Sequence, residues 1–144
     1  METMNKEGLA DTFKALWVAS AHTSKQLNNG LSCVHGIGLS EYMVLDSLMN
    51  AQTQTLPRID LANRIGKTAS AITKMLAPME KIGLVEKEAG ARDARVSLVK
   101  LTKAGERVFK ESSKTMERNA ETVFEGLDNN QRSELLSLLQ QIRV

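Results

Sequence analysis

At 144 residues the chain is long enough for one domain with a buried core. Its 42% hydrophobic and 25% charged residues exclude disordered and collagen-like classes, and no apolar run nears the roughly 20 residues of a membrane span. The net charge of +2 is unevenly divided, with −2 over residues 1–57, +5 over 58–107 and −1 over 108–144, so a basic middle stands between acidic flanks.

In chain order, Leu9, Phe13, Leu16, Trp17 and Leu27 recur at helical spacing, and the three glycines of residues 28–38 are expected to break that helix. Ser40 reads as an N-cap, with Leu39 and Val44 placed as a hydrophobic staple, for a helix burying Val44, Leu45, Leu48 and Met49. Residues 50–55 are polar and loop-like. Pro57 can start a short helix that buries Ile59, Leu61, Ala62 and Ile65 and ends at Gly66 in a left-handed conformation. Thr68 caps the next helix, which runs through Ile72, Leu76, Met79 and Ile82 to Gly83, with Pro78 expected to bend its last turn.

Beyond Gly83 the period shortens. Residues 84–88 and 96–101 read as two strands joined by a charged tip over 89–95, that is, a β-hairpin with an exposed turn. Thr102 caps a long helix to about Gly126 bearing Val108, Phe109, Met116, Val123 and Phe124. Asp128 and Gln131 form a capping box for a last helix with Leu135, Leu136, Leu138, Leu139 and Ile142.

A helix-turn-helix needs a small residue where its helices meet, a turn residue that tolerates positive φ, and an apolar plug on the second helix. Ala62, Gly66 and Ile72 supply these, and the hairpin that follows makes the unit a winged helix. The basic middle is the charge pattern of a surface that meets a polyanion. The expected fold is mainly α with a small β-hairpin wing: a winged helix-turn-helix over about 40–101, flanked by N- and C-terminal helices over about 9–27 and 102–144.

The order and details resemble the multiple antibiotic resistance regulator (MarR) family over nearly the whole chain. The resemblance is carried by Lys81-Ile82-Gly83-Leu84-Val85, Arg92-Asp93-Ala94-Arg95, Leu101-Thr102-Lys103-Ala104-Gly105 and Gly126-Leu127-Asp128. It implies a single MarR-like domain over 1–144 that binds double-stranded DNA as a homodimer, its flanking helices interleaved with those of a second copy. It also implies a transcriptional regulator, a repressor answering to a small aromatic or anionic effector, on pseudo-palindromic operators.

A recognition helix sets its N-terminal half in the major groove, so Thr68, Ser70, Ala71, Thr73 and Lys74 are the candidate DNA contacts. Thr73 and Lys74 stand where the family has Ser/Thr then Arg. Lysine lacks the planar fork that grips guanine, which favours a phosphate role for Lys74. On the wing, Arg95 resembles the family arginine that enters the minor groove, and Asp93 is placed to orient its guanidinium. Lys67 and Arg92 are candidate backbone contacts, Arg92 alternatively a plain surface charge, and Arg64 reaches either solvent or phosphate.

Trp17, His22, His35 and Tyr42 come from the elements that build the family's effector pocket, although a tryptophan such as Trp17 more often serves as core packing. Two histidines and one cysteine make no convincing metal site, and no cofactor motif is present. Cys33 follows the first predicted helix and reads as an inert or partly buried thiol that cannot form an internal disulfide. Residues 1–11 lack a signal-peptide core, so a cytoplasmic location without membrane partners is expected. No Gly-rich phosphate loop or Ser/His/Asp set points to an enzyme. The competing reading is a winged-helix adaptor that binds protein and not DNA.

Overall fold

The structure is a computed structural model that describes residues 8–90, 92–93 and 95–142. Residues 1–7 of the N-terminal stretch, and Ala91 and Ala94 of the wing tip, lie outside the described residues. Six α-helices and a three-stranded antiparallel sheet follow one another as α1 (Leu9–His35), α2 (Leu39–Met49), β1 (Thr55–Pro57), α3 (Arg58–Ile65), α4 (Ala69–Lys81), β2 (Val85–Ala89), β3 (Ser97–Leu101), α5 (Lys103–Val123) and α6 (Asn129–Gln141). This is the expected mainly α, winged-helix architecture. Among the described residues no helix is long and apolar enough to cross a membrane.

Helix α1 does not break at residue 28. It continues for 27 residues and ends only at Gly36, whose φ of 69° provides the left-handed stop. Gly30 lies within the helix where α5 comes close: a Cβ there would meet the Asn119 amide. Helix α2 is not capped by Ser40 either. Gly38 occupies the cap position without a side-chain bond, and the Leu39 N–H donates instead to Asn28 Oδ1 at 2.8 Å, from the neighbouring helix.

Between α2 and α3 the chain forms a 3-10 turn over Gln52–Gln54 with two left-handed residues, Thr53 and Gln54, and then strand β1. The sheet has order β1-β3-β2, so the wing has a third strand that the expected hairpin lacked. Leu56 pairs with Val99 and Pro57 with Leu98, an edge position where a residue without an N–H is tolerated. The hairpin pairs Val85 with Leu101 and Ala89 with Ser97.

The core gathers Leu31, Val44, Leu45, Leu48, Leu61, Ile72, Leu76, Met79, Val85 and Val99, which places α1, α2, α3, α4 and the sheet around one apolar centre. Tyr42 stacks on Phe109 of α5 with ring centroids 5.4 Å apart, and burial pushes its phenol above its ordinary pKa, so it packs as a neutral group. Two residues expected in this core lie outside it. Ile59 faces solvent from the first turn of α3, and Ile82 is exposed because α4 ends at Lys81 and the chain turns away through Gly83 at φ 81°.

Candidate nucleic-acid interface

The turn between α3 and α4 is built locally. Gly66 adopts φ 68°, and the Lys67 N–H closes back onto Ala62 O at 2.9 Å. Thr68 then caps α4 by accepting the Ala71 N–H at 3.1 Å, as its sequence position implies. Ala62 is buried at the contact between helices and Ile72 is fully buried beneath α4. The remaining side chains of this edge, Arg64, Lys67, Thr68, Ser70, Thr73 and Lys74, are exposed, and Ala71 is half-buried. No acidic residue stands in the first turn of α4. Its unpaired N–H groups and the positive end of its dipole are therefore left for an anion. Pro78 lies inside α4, where the Ile82 N–H still reaches Pro78 O at 3.1 Å.

The wing presents Arg95 with 92% of its side chain exposed. Asp93 organises it: Oδ1 accepts the Arg95 backbone N–H at 3.0 Å and the guanidinium Nε–H at 3.2 Å. These contacts hold the Asp93 carboxyl below the usual carboxylate range, the backbone bond being the larger cause and the side-chain bond the second. The tip is closed by the Val96 N–H on Asp93 O and the Gly90 N–H on Val96 O, both at 3.0 Å. Arg92 is exposed on the same tip.

Sequence reasoning passed over Arg58. Its guanidinium bonds Ser97, Thr73 and Glu80, so Thr73 is tied to α3 and is not a bare surface hydroxyl. The signal that could have found it is an arginine on the first helical residue of α3, next to a hairpin and a helix that carry acceptors.

The four aromatic and histidine residues weighed for an effector are not brought together within one chain. Trp17 and His35 are separated by roughly 27 Å along α1 at ~1.5 Å per residue. Trp17 is exposed, His22 is exposed, His35 bonds Thr115 Oγ1 at 2.7 Å, and Tyr42 is buried with its hydroxyl 3.2 Å from Ser113 Oγ. A cleft of about 430 Å³ between α1 and α5 adjoins the His35 bond to Thr115, lined by Asn29, Gly30, Cys33, Val34, Thr115, Arg118 and Asn119, with the Cys33 thiol exposed. No cluster of metal-ligating residues occurs among the described residues.

Residues 37–97, which span this turn, helix and wing, match the MarR family. The chain is 27% identical over 108 residues to the uncharacterized HTH-type transcriptional regulator YdgJ of Bacillus subtilis (strain 168), a match covering 75% of this chain. The chain spans 65% of that relative's length. Among solved structures it is similar to Sco3205, a MarR family transcriptional regulator from Streptomyces coelicolor in complex with DNA, with TM-score 0.82, 20% identity, and coverage of 96% of this chain and 88% of that one. It is also similar to a mutant MarR from E. coli complexed with operator DNA, with TM-score 0.81, 21% identity, and coverage of 96% and 98%. At these identities the two structures establish a shared fold.

Proposed function

We propose that this chain, whose residues 37–97 match the MarR family, binds double-stranded DNA sequence-specifically as a homodimeric transcriptional regulator. The observation that carries this reading is the pairing of an acid-free, exposed helix N-terminus at Thr68 with an exposed Arg95 held in place by Asp93. Helix α4 supplies a surface of major-groove size, and the wing supplies a guanidinium suited to the narrow minor groove. Ser70, Ala71, Thr73 and Lys74 face bases or phosphates, while Arg64, Lys67 and Arg92 reach the backbone.

Residues 40–101 act as the reading element, and the helices on either side pair two copies into one 1–144 unit. Two such elements address half-sites roughly 34–36 Å apart on a pseudo-palindrome. The regulator acts in the cytoplasm as a repressor released by a small aromatic or anionic molecule. That Trp17, His22, His35 and Tyr42 do not converge within one chain favours a site completed by the second copy.

The test is fluorescence anisotropy on duplexes from upstream of the gene, over a range of salt. Wild type should bind with a steep salt dependence, and Arg95→Ala and Lys74→Ala should each weaken binding and lower the slope of log K on log salt by about one. Unchanged binding and slope in both variants would remove the assigned surface. A wild type that binds no duplex while retaining a protein partner would favour the adaptor reading.

A further inference from the structure

We propose that Arg58 is a positioning residue that holds the recognition helix and the wing in register for DNA, a reading that rests on the DNA-binding function above. Arg58 is the first residue of α3, and its guanidinium is divided among three acceptors on two other elements. Nε donates to Ser97 Oγ at 2.9 Å, Nη1 to Thr73 Oγ1 at 3.3 Å, and Nη2 to Glu80 Oε1 at 3.2 Å. Ser97 opens β3, the returning strand of the wing, whereas Thr73 and Glu80 lie two turns apart on one face of α4. The second Glu80 oxygen meets Lys87 Nζ of β2 at 3.8 Å. One arginine and its acid therefore join α3, α4 and both strands of the hairpin.

The pair is partly shielded, with side-chain exposures of 19% for Arg58 and 22% for Glu80, where a charge-assisted bond holds its geometry better than on an open surface. Arginine's planar fork can serve acceptors spread along two helical turns and a neighbouring strand. A lysine ammonium is a compact point charge and cannot span them.

The arrangement has a direct consequence for Thr73. A hydroxyl has one proton and two lone pairs. With Nη1 on one lone pair, the exposed Thr73 hydroxyl keeps its proton to donate, and a phosphate or base oxygen is an acceptor it can serve. Arg58 thus sets Thr73 as a donor and fixes the distance between the contacts of α4 and those of the wing. Its own charge is matched by Glu80, so it contributes geometry and little to the general attraction for phosphate.

The experiment compares two duplexes of roughly 40 base pairs, ample for two half-sites one helical turn apart: one enriched by wild type from a random-sequence pool, the other its scramble. Arg58→Lys should lower affinity for the enriched duplex roughly tenfold, within the coupling expected of side chains that share one network. Affinity for the scramble and the salt slope should stay at wild-type values, which loss of folded protein would not allow. Thr73→Val should weaken the enriched complex in wild type and add little to Arg58→Lys. Should Arg58→Lys fail to fold by circular dichroism, Ser97→Ala removes a single bond at an exposed residue and should show the same selective loss. Equal losses on both duplexes, no loss in Arg58→Lys or its Ser97→Ala substitute, or losses that simply multiply would each overturn the positioning role. A wild type that enriches no duplex would overturn the DNA-binding reading itself, a result distinct from all of these.

Discussion

At Gly105 the start of α5 passes so close to the end of the α4–β2 turn that a Cβ would strike the Leu84 carbonyl and come within 2.7 Å of Leu101 Cδ1. Thr102 makes the approach possible, since its hydroxyl donates toward Gly83 O at 2.6 Å while accepting the Gly105 N–H at 3.0 Å. Gly105→Ala should therefore destabilise the fold by about 1–3 kcal/mol despite alanine's better helix propensity. A thermal midpoint by circular dichroism at or above that of wild type would contradict this. At the wing tip the relevant quantity is a titration. Asp93's carboxyl is held below its ordinary value by the backbone and side chain of Arg95. Its contribution is thus present above the unfolded carboxylate pKa near ~3.9 and is lost as pH falls through the lower folded value. The Arg95 Nε–H resonance should shift with a midpoint below ~3.9 in wild type and show no such step in Asp93→Asn; a wild-type midpoint at or above that value would contradict the pairing. Signals of this kind, in which a side chain caps backbone a few residues away, were readable in advance. Thr68, Thr102 and the Asp128–Gln131 box all bond as their spacing implies, at 3.1, 3.0 and 2.8 Å.

At the scale of elements the determining contacts come from far along the chain, and there the sequence misled. Gly30 looked like a breaker, yet α1 runs through it, with the Asn119 amide of α5 in the space a side chain would need. Ser40 looked like a cap, yet Asn28 of α1 does that work. Strand β1 is too short to show an alternation, and only its pairing with β3 reveals it. The α1–α5 contact allows a test of the coupling between residues 30 and 119. In wild type, Gly30→Ala requires the Asn119 amide to turn away, so the substitution should gain less stability than alanine's helix propensity alone would give. In an Asn119→Ala background the space is open, and the same substitution should raise stability by the ~1 kcal/mol that alanine gains over glycine inside a helix. Denaturant melts of the four proteins provide the cycle. Purely additive effects would show that the close approach of the helices is not what keeps residue 30 a glycine.

For the whole molecule the decisive feature is apolar surface that one chain leaves uncovered. Leu9, Phe13, Leu16, Trp17 and Val18 are exposed along the first half of α1, and Leu136, Leu138, Leu139 and Ile142 are exposed around α6, none of whose residues is buried. Their spacing was legible as helical stripes, but a stripe does not say whether its cover comes from the same chain or another. Exposed apolar side chains repeated along a helix fit an interaction surface, and here they stand on helices that precede and follow the winged element in the chain. Trp17 is the single tryptophan and is 65% exposed in one chain, so its emission reports the cover directly. In a homodimer closed by these helices the indole should emit at the shorter wavelength of a buried ring and resist iodide quenching at micromolar concentration. Leu136→Glu together with Leu139→Glu places two charges where the partner's apolar surface would sit in such a homodimer, at a cost of several kcal/mol unless they are paired. The doubly substituted protein should sediment as a monomer, shift Trp17 emission to longer wavelength, and keep the far-ultraviolet signature of a folded winged element. DNA affinity should fall steeply, because two half-sites can no longer be engaged through one linked pair. A monomeric wild type by sedimentation, or a dimer unaffected by both charges, would place the cover of this surface elsewhere.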